Sequence, residues 1–140
     1  MKSLILLLIL FTFTASAQYK SDDEINKTMI ATAEHYSKNL PIKIDKVSTL
    51  IKIFAGLDRD LVYVYSVKLN LGTLRDGITR EALVPLMEEH YRKTETNNYC
   101  SQPGLLKIFR DQNITLEHHY VNQDSKYLFD IRLSVKDCNI

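Results

Sequence analysis

Tryptophan is absent from the 140 residues, and glycine (four), proline (three) and cysteine (two) are scarce. The four glycines are so placed that neither a P-loop nor a dinucleotide fingerprint occurs. No serine stands on a Gly-x-Ser-x-Gly elbow, so a serine-nucleophile triad has no footing. An excess of one charge is missing as well: Lys and Arg number 18 against 17 Asp and Glu, with no basic block or stripe. That excludes a nucleic-acid surface or an anionic-membrane surface. Beyond the first residues there is no apolar run approaching the roughly 20 residues that a membrane helix needs.

The first residues carry the clearest signal. Met1-Lys2-Ser3 gives a short positive start, Leu4 to Phe11 an apolar run, and Ala15-Ser16-Ala17 a small-x-small site before Gln18. This is the layout of a signal peptide cleaved after Ala17. Residues 1–17 are therefore expected to be a leader, and residues 18–140 one domain. No cysteine follows the cleavage site to take a lipid. Loss of Lys2 leaves the expected product formally neutral, with no membrane insertion once the leader is gone and a destination in the periplasm or outside the cell.

Cys100 and Cys138 both lie in that product. In an oxidising compartment two cysteines pair rather than stay free. The closed loop of roughly 40 residues is worth about 4 kcal/mol through chain entropy. Neither cysteine has an activating base or a cationic setting nearby, so a catalytic thiol is not indicated.

Hydrophobic spacing supplies the elements. Ser21 and Glu24 fit a capping box, followed by Ile25, Met29, Thr32 or Ala33, and Tyr36 on one helical stripe. Ile42 to Asp45 and Thr49 to Phe54 read as one long strand whose phase slips between Lys46 and Ser48, as at a bend or bulge. After a turn at Ala55–Asp60, Leu61 to Leu69 forms its antiparallel partner. A second helix starts between Thr79 and Val84 and carries Leu83, Leu86 or Met87, and His90 inward, with Pro85 near its beginning. Ser101-Gln102-Pro103 opens a short third helix with Leu105, Leu106 and Phe109 inside. Ile114–Val121 and Tyr127–Val135 are two further strands around the turn Asn122–Lys126. The sum is α+β, a four-stranded antiparallel sheet backed by helices in the order α-β-β-α-α-β-β. The cysteines would join the end of the second helix to the end of the last strand.

Cys100-Ser101-Gln102-Pro103, Leu105-Leu106, Ile114-Thr115-Leu116 leading to Tyr120, and Asp137-Cys138 together resemble a group of small, mostly uncharacterised exported bacterial proteins. Lys46-Val47-Ser48-Thr49-Leu50 and Leu61-Val62-Tyr63-Val64-Tyr65 also suit that group. The resemblance implies a cystatin-like roll, a helix wrapped by an antiparallel sheet, and an exported location. It brings no activity. The chain has Asn113 where the group has glycine, and Tyr120-Val121-Asn122-Gln123-Asp124 where the group has an aromatic-Arg-Asp turn.

Four histidines invite a metal reading, but His118 and His119 are adjacent in a strand and point to opposite faces. There is no His-x-His in a strand and no His-Glu-x-x-His, so neither a metal nor another cofactor is expected. Tyr63, Tyr65, His118, Tyr127 and Asp130 are the pieces from which an acid–base enzyme or small-ligand site could be assembled in a cone-shaped pocket. Tyrosine packs readily in sheets without any catalytic duty. A protease inhibitor of cystatin type would need Gln-x-Val-x-Gly, which is absent; fold without site is only analogy. The leading expectation is a non-enzymatic envelope accessory or interaction protein with a protein partner. Tyr63, Tyr65, His119 and Tyr120 are the candidate binding surface.

Overall fold

The computed structural model describes residues 21–69 and 77–139; the expected leader lies outside the described residues. Helix α1 (Asp22–Ser37) opens on the expected capping box: Ser21 Oγ accepts from the Glu24 amide at 3.3 Å, and the Ser21 amide donates to Glu24 Oε2 at 3.1 Å. Ile25, Met29 and Ala33 form its buried stripe. The long first strand is corrected to two strands, β1 (Ile42–Lys43) and β2 (Ser48–Ala55), which pair antiparallel. What reads as a phase slip is a full reversal. Asp45 Oδ1 holds it by accepting from the amides of Val47 and Ser48, both at 2.7 Å. The bulge falls later, between Leu50 and Lys52.

Strand β3 (Asp60–Val67) returns antiparallel to β2 through a turn in which Asp58 and Arg59 take φ of 53° and 63°. Positive φ is uncommon for arginine. Here the Arg59 guanidinium is held by the Gln112 carbonyl at 2.7 Å and by the Asp22 carboxylate. Gly56 is needed in the same turn, because a Cβ there would stand 3.1 Å from Val62 Cγ2 and 3.2 Å from the Asp60 Cβ.

Helix α2 (Arg80–Cys100) starts at the Thr79 cap, so Pro85 lies in its second turn and leaves the Glu81 carbonyl without an N–H. The helix does not fade before Cys100. Its inward stripe is Val84, Met87, Tyr91, Glu95 and Tyr99, whereas Leu86 and His90 are exposed. Helix α3 (Pro103–Gln112) buries Leu106 and Phe109 and ends at Asn113, whose φ of 51° is the left-handed cap that asparagine tolerates. Strand β4 (Thr115–Asn122) and strand β5 (Tyr127–Leu133) follow, antiparallel to each other.

The sheet is therefore five-stranded and mixed, in the order β1-β2-β3-β4-β5. The expected four-stranded antiparallel sheet is corrected at its centre, where β3 and β4 run parallel. Parallel neighbours need a crossover of a dozen residues or more, and α2 with α3 supply it. Buried side chains of all three helices share one core with the inner face of the sheet. Among the described residues no helix packs on the other face. Cys100 and Cys138 are disulfide-bonded with their Cα atoms 5.5 Å apart, tying the end of α2 to the short turn of helix at Val135–Asp137.

Replacing both cysteines by serine is expected to lower unfolding free energy by about 2–4 kcal/mol, from the length of the loop they close. Urea denaturation of the two forms measures it, and equal midpoints would exclude a stabilising role for the pair.

Candidate functional site

Strand β3 alternates, so Tyr63, Tyr65 and Val67 point towards the helices; in β4, His118 and Tyr120 do the same. The parallel register sets Tyr63 beside His118 and Tyr65 beside Tyr120. Their rings form a layer: Tyr63 to His118 at 5.7 Å, His118 to Tyr65 at 5.5 Å, Tyr65 to Tyr120 at 4.9 Å and Tyr120 to Phe129 at 4.6 Å between centroids. Tyr91 closes over it from α2, 4.8 Å from Tyr120, and its hydroxyl is 2.7 Å from the Ser48 hydroxyl.

Polar atoms in this layer sit in a dry setting. The Tyr65 hydroxyl is hydrogen-bonded to His118 Nδ1 at 3.2 Å, and His118 Nε2 has no partner. Burial pushes His118 down to about 3, so it stays neutral. Its 3.9 Å approach to Glu95 Oε2 is accordingly not an ion pair. Burial pushes Glu95 up to about 7, partly offset by the hydrogen bond that the Tyr120 hydroxyl donates to it at 3.5 Å. Burial first, and the Glu95 charge second, hold the Tyr65 and Tyr120 hydroxyls well above the usual phenol range.

Of the four expected surface residues, Tyr63, Tyr65 and Tyr120 are corrected to core positions, only 4%, 2% and 1% exposed. Alternation in β3 sends them inward because its neighbours in that direction are the apolar stripes of α1 and α2. His119 alone of the four lies on the open face, half-buried. The sheet also divides the acid–base constellation: Tyr63, Tyr65 and His118 lie inside, while Tyr127 and Asp130 lie outside. The five do not converge on one point.

A second group occupies the open face. Glu117 and His119 are two residues apart in β4 and share that face, and cross-strand pairing sets Asp130 opposite His119 and Arg132 opposite Glu117. His119 Nδ1 is 2.5 Å from Asp130 Oδ1, and the Tyr127 hydroxyl donates to Asp130 Oδ2 at 3.2 Å. Arg132 donates to Asp60 Oδ1 at 2.7 Å and stands 3.9 Å from Glu117 Oε2. Among the described residues, Glu117, His119 and Asp130 bring donor atoms of three metal-ligating side chains within 4.8 Å of one another. Phe54 and Tyr127 are exposed on this side of the sheet, with Val64 between them half-buried.

The open-face cluster and the Tyr91–Glu95 pair escape a reading by residue type. Glu117-x-His119 does carry a signal, since that spacing in a strand gives one face. Asp130 joins only through the register of β5, which no local pattern prints.

No protein-family model matches this sequence, and no curated protein matches it. Solved structures do share the fold. A candidate secreted protein from Pseudomonas aeruginosa superposes with a TM-score of 0.65 at 16% identity, covering 86% of this chain and 100% of its own. The pilotin EpsS of the Vibrio vulnificus type 2 secretion system gives 0.63 at 11% identity, over 84% and 94% of the two chains. The type II secretion pilotin AspS of Vibrio cholerae gives 0.54 at 11% identity, over 83% and 94%. At these identities the likeness is one of fold, an α+β arrangement found among small bacterial envelope-related proteins.

Glu95 gives the buried layer a pH signature. Its carboxyl titrates near 7 in the fold and near the ordinary 4.5 when unfolded, so the folded form binds the extra proton between those values and stability falls as pH rises. His118 works in the opposite sense, because the unfolded chain takes up its proton below about 6.5 while the fold does not. Glu95→Gln isolates the first effect. The variant is expected to exceed the parent in stability at about pH 8, with the gap closing towards about pH 4. Urea midpoints across that range measure it, and a pH-independent gap would exclude titration of Glu95 as the cause.

Proposed function

We propose that this chain is exported and serves as a non-enzymatic accessory protein of the bacterial envelope, acting by binding another envelope or secreted protein. The observation that carries this reading is the fold shared, over most of both chains, with two secretion pilotins and a candidate secreted protein. Two features of the site support it. The acid–base residues inside the sheet are packed ring on ring and shut off from solvent, so a substrate has no route to them. The open face, by contrast, presents Phe54 and Tyr127 around half-buried polar groups. The Cys100–Cys138 disulfide fits an oxidising compartment, periplasmic or extracellular. Among the described residues no helix is long and apolar enough to cross a membrane.

A partner meeting this protein has little sheet edge to extend. Arg80 and Arg92 of α2 donate to the carbonyls of Tyr127 and Asp130 in β5, at 2.8 and 3.4 Å. On the opposite side, β1 covers β2 for two residues, and the Ser37 hydroxyl donates to the Ile53 carbonyl at 3.1 Å. Edges occupied in this way resist strand addition. The open face is the surface left for recognition.

A photo-crosslinking residue at Phe54 or Tyr127, expressed in the native host, is expected to trap one envelope protein. The same residue at Ile30 on α1 or Leu86 on α2 should not. Adducts confined to the helical positions would overturn the assignment of the face. A copurifying metabolite with no protein adduct would overturn the interaction role itself. Mass measurement of the exported form should find Gln18 at its start.

A further inference from the structure

We propose that Glu117, His119 and Asp130 form a binding site for one divalent transition-metal cation of the zinc class on the open face of the sheet. The three side chains come from two adjacent strands whose pairing fixes them on one side, and their donor atoms lie within 4.8 Å of one another. An ion with bond lengths of about 2.0–2.2 Å gathers its ligand atoms to about 3.3 Å apart. The group is therefore close to a coordination shell, which side-chain rotation would complete by drawing Glu117 in and parting His119 from Asp130.

The His119–Asp130 contact already brings two of the three donors together. Nδ1 and Oδ1 approach to 2.5 Å, the distance of an imidazole–carboxylate pair. A cation would take the place of the proton shared there and part the two atoms to the roughly 3.3 Å of a coordination shell. Asp130 is braced from behind, because the Tyr127 hydroxyl donates to Oδ2 at 3.2 Å and leaves Oδ1 facing the imidazole. Such outer contacts orient a metal ligand. Arg132 stands beside the site, but its guanidinium hydrogen-bonds Asp60 at 2.7 Å and is 3.9 Å from Glu117. Glu117 thus keeps an oxygen available.

One imidazole nitrogen and two carboxylates select a borderline transition cation over calcium or magnesium, which take oxygen shells of six or more. Side-chain exposures of 24% for Glu117, 35% for His119 and 41% for Asp130 leave room for a fourth ligand from outside the chain. The site depends on no feature of the envelope role proposed above and stands or falls separately from it.

Titration calorimetry of the exported chain with zinc chloride near neutral pH tests it. One equivalent is expected to bind, with affinity falling at least about tenfold in His119→Ala and in Asp130→Asn. Unchanged binding in both variants, or no stoichiometric uptake by the parent, would overturn the proposal. A measurement on the unsubstituted protein guards against a misfolded variant. In nuclear magnetic resonance, zinc should move the ring signals of His119 and leave those of the exposed His35 and His90 in place. Shifts confined to His35 or His90 would mark adventitious surface binding and overturn the site.

Discussion

The parallel pairing of β3 with β4 is the constraint on which the rest depends. Antiparallel neighbours could have been joined by a few residues. Parallel ones require the chain to travel back along the sheet, and α2 and α3 make that journey. Their apolar stripes, like that of α1, are buried against the same side of the sheet. One face becomes the core, and among the described residues no helix covers the other. The disulfide then fixes the far end of the crossover to the chain just beyond β5, closing the loop that the parallel pair created.

The same register decides what the core is made of. Because Asp60 pairs with Thr115 and the strands run in step from there, each inward tyrosine of β3 meets an inward ring of β4. The cross-strand layer is polar at its tips, which a core of leucines would not be. Hydroxyls, an imidazole and a carboxylate are all withdrawn from water there, and a buried polar group costs stability unless it is hydrogen-bonded. Tyr65 with His118, Tyr91 with Ser48 and Tyr120 with Glu95 provide partners. Satisfaction is incomplete at His118 Nε2. Glu95 keeps its proton over part of the neutral range because releasing it would leave a charge in this layer.

Much of this was legible in residue order, and the failures have physical reasons. The Ser21–Glu24 cap and the Ile25-Met29-Ala33 stripe are local, the Cys100–Cys138 pair follows from there being only two cysteines, and all appear. The topology went wrong at a point where the sequence did carry a hint. Leu61-Val62-Tyr63-Val64-Tyr65 is apolar on both faces, which marks a central strand in a parallel pair more than one half of a wet-faced hairpin. The β1–β2 reversal was hidden because Asp45 makes the turn with side-chain hydrogen bonds, without glycine or the usual turn dipeptides. In helix α2 the spacing offers Leu86 or Met87 and then His90 for the inner stripe; Met87 faces the core, and Tyr91 and Glu95 rather than His90 continue it. A glutamate is an unlikely core residue by type, and only the tyrosine opposite it makes the position tolerable.

Composition also misled on where the aromatics act. Tyrosine serves as both a core and an interface residue, so Tyr63, Tyr65 and Tyr120 looked like a surface until strand direction assigned them inward. Once they are committed to the core, three surfaces remain for contact with other molecules. The sheet edges are occupied by Arg80, Arg92 and Ser37. The outer helical faces carry spaced ion pairs such as Lys27–Asp23, Arg92–Glu88 and Lys107–Asp111, the ordinary dress of solvated helices. The open sheet face differs in kind. Glu117, His119 and Asp130 are half-buried there and drawn towards one another, beside exposed aromatic rings on a rigid support. Rigid strands hold side chains to tighter tolerances than loops do, which is what recognition of either an ion or a partner requires. The parallel pair that filled one face of the sheet with rings thus also sets Glu117 and His119 side by side on the other.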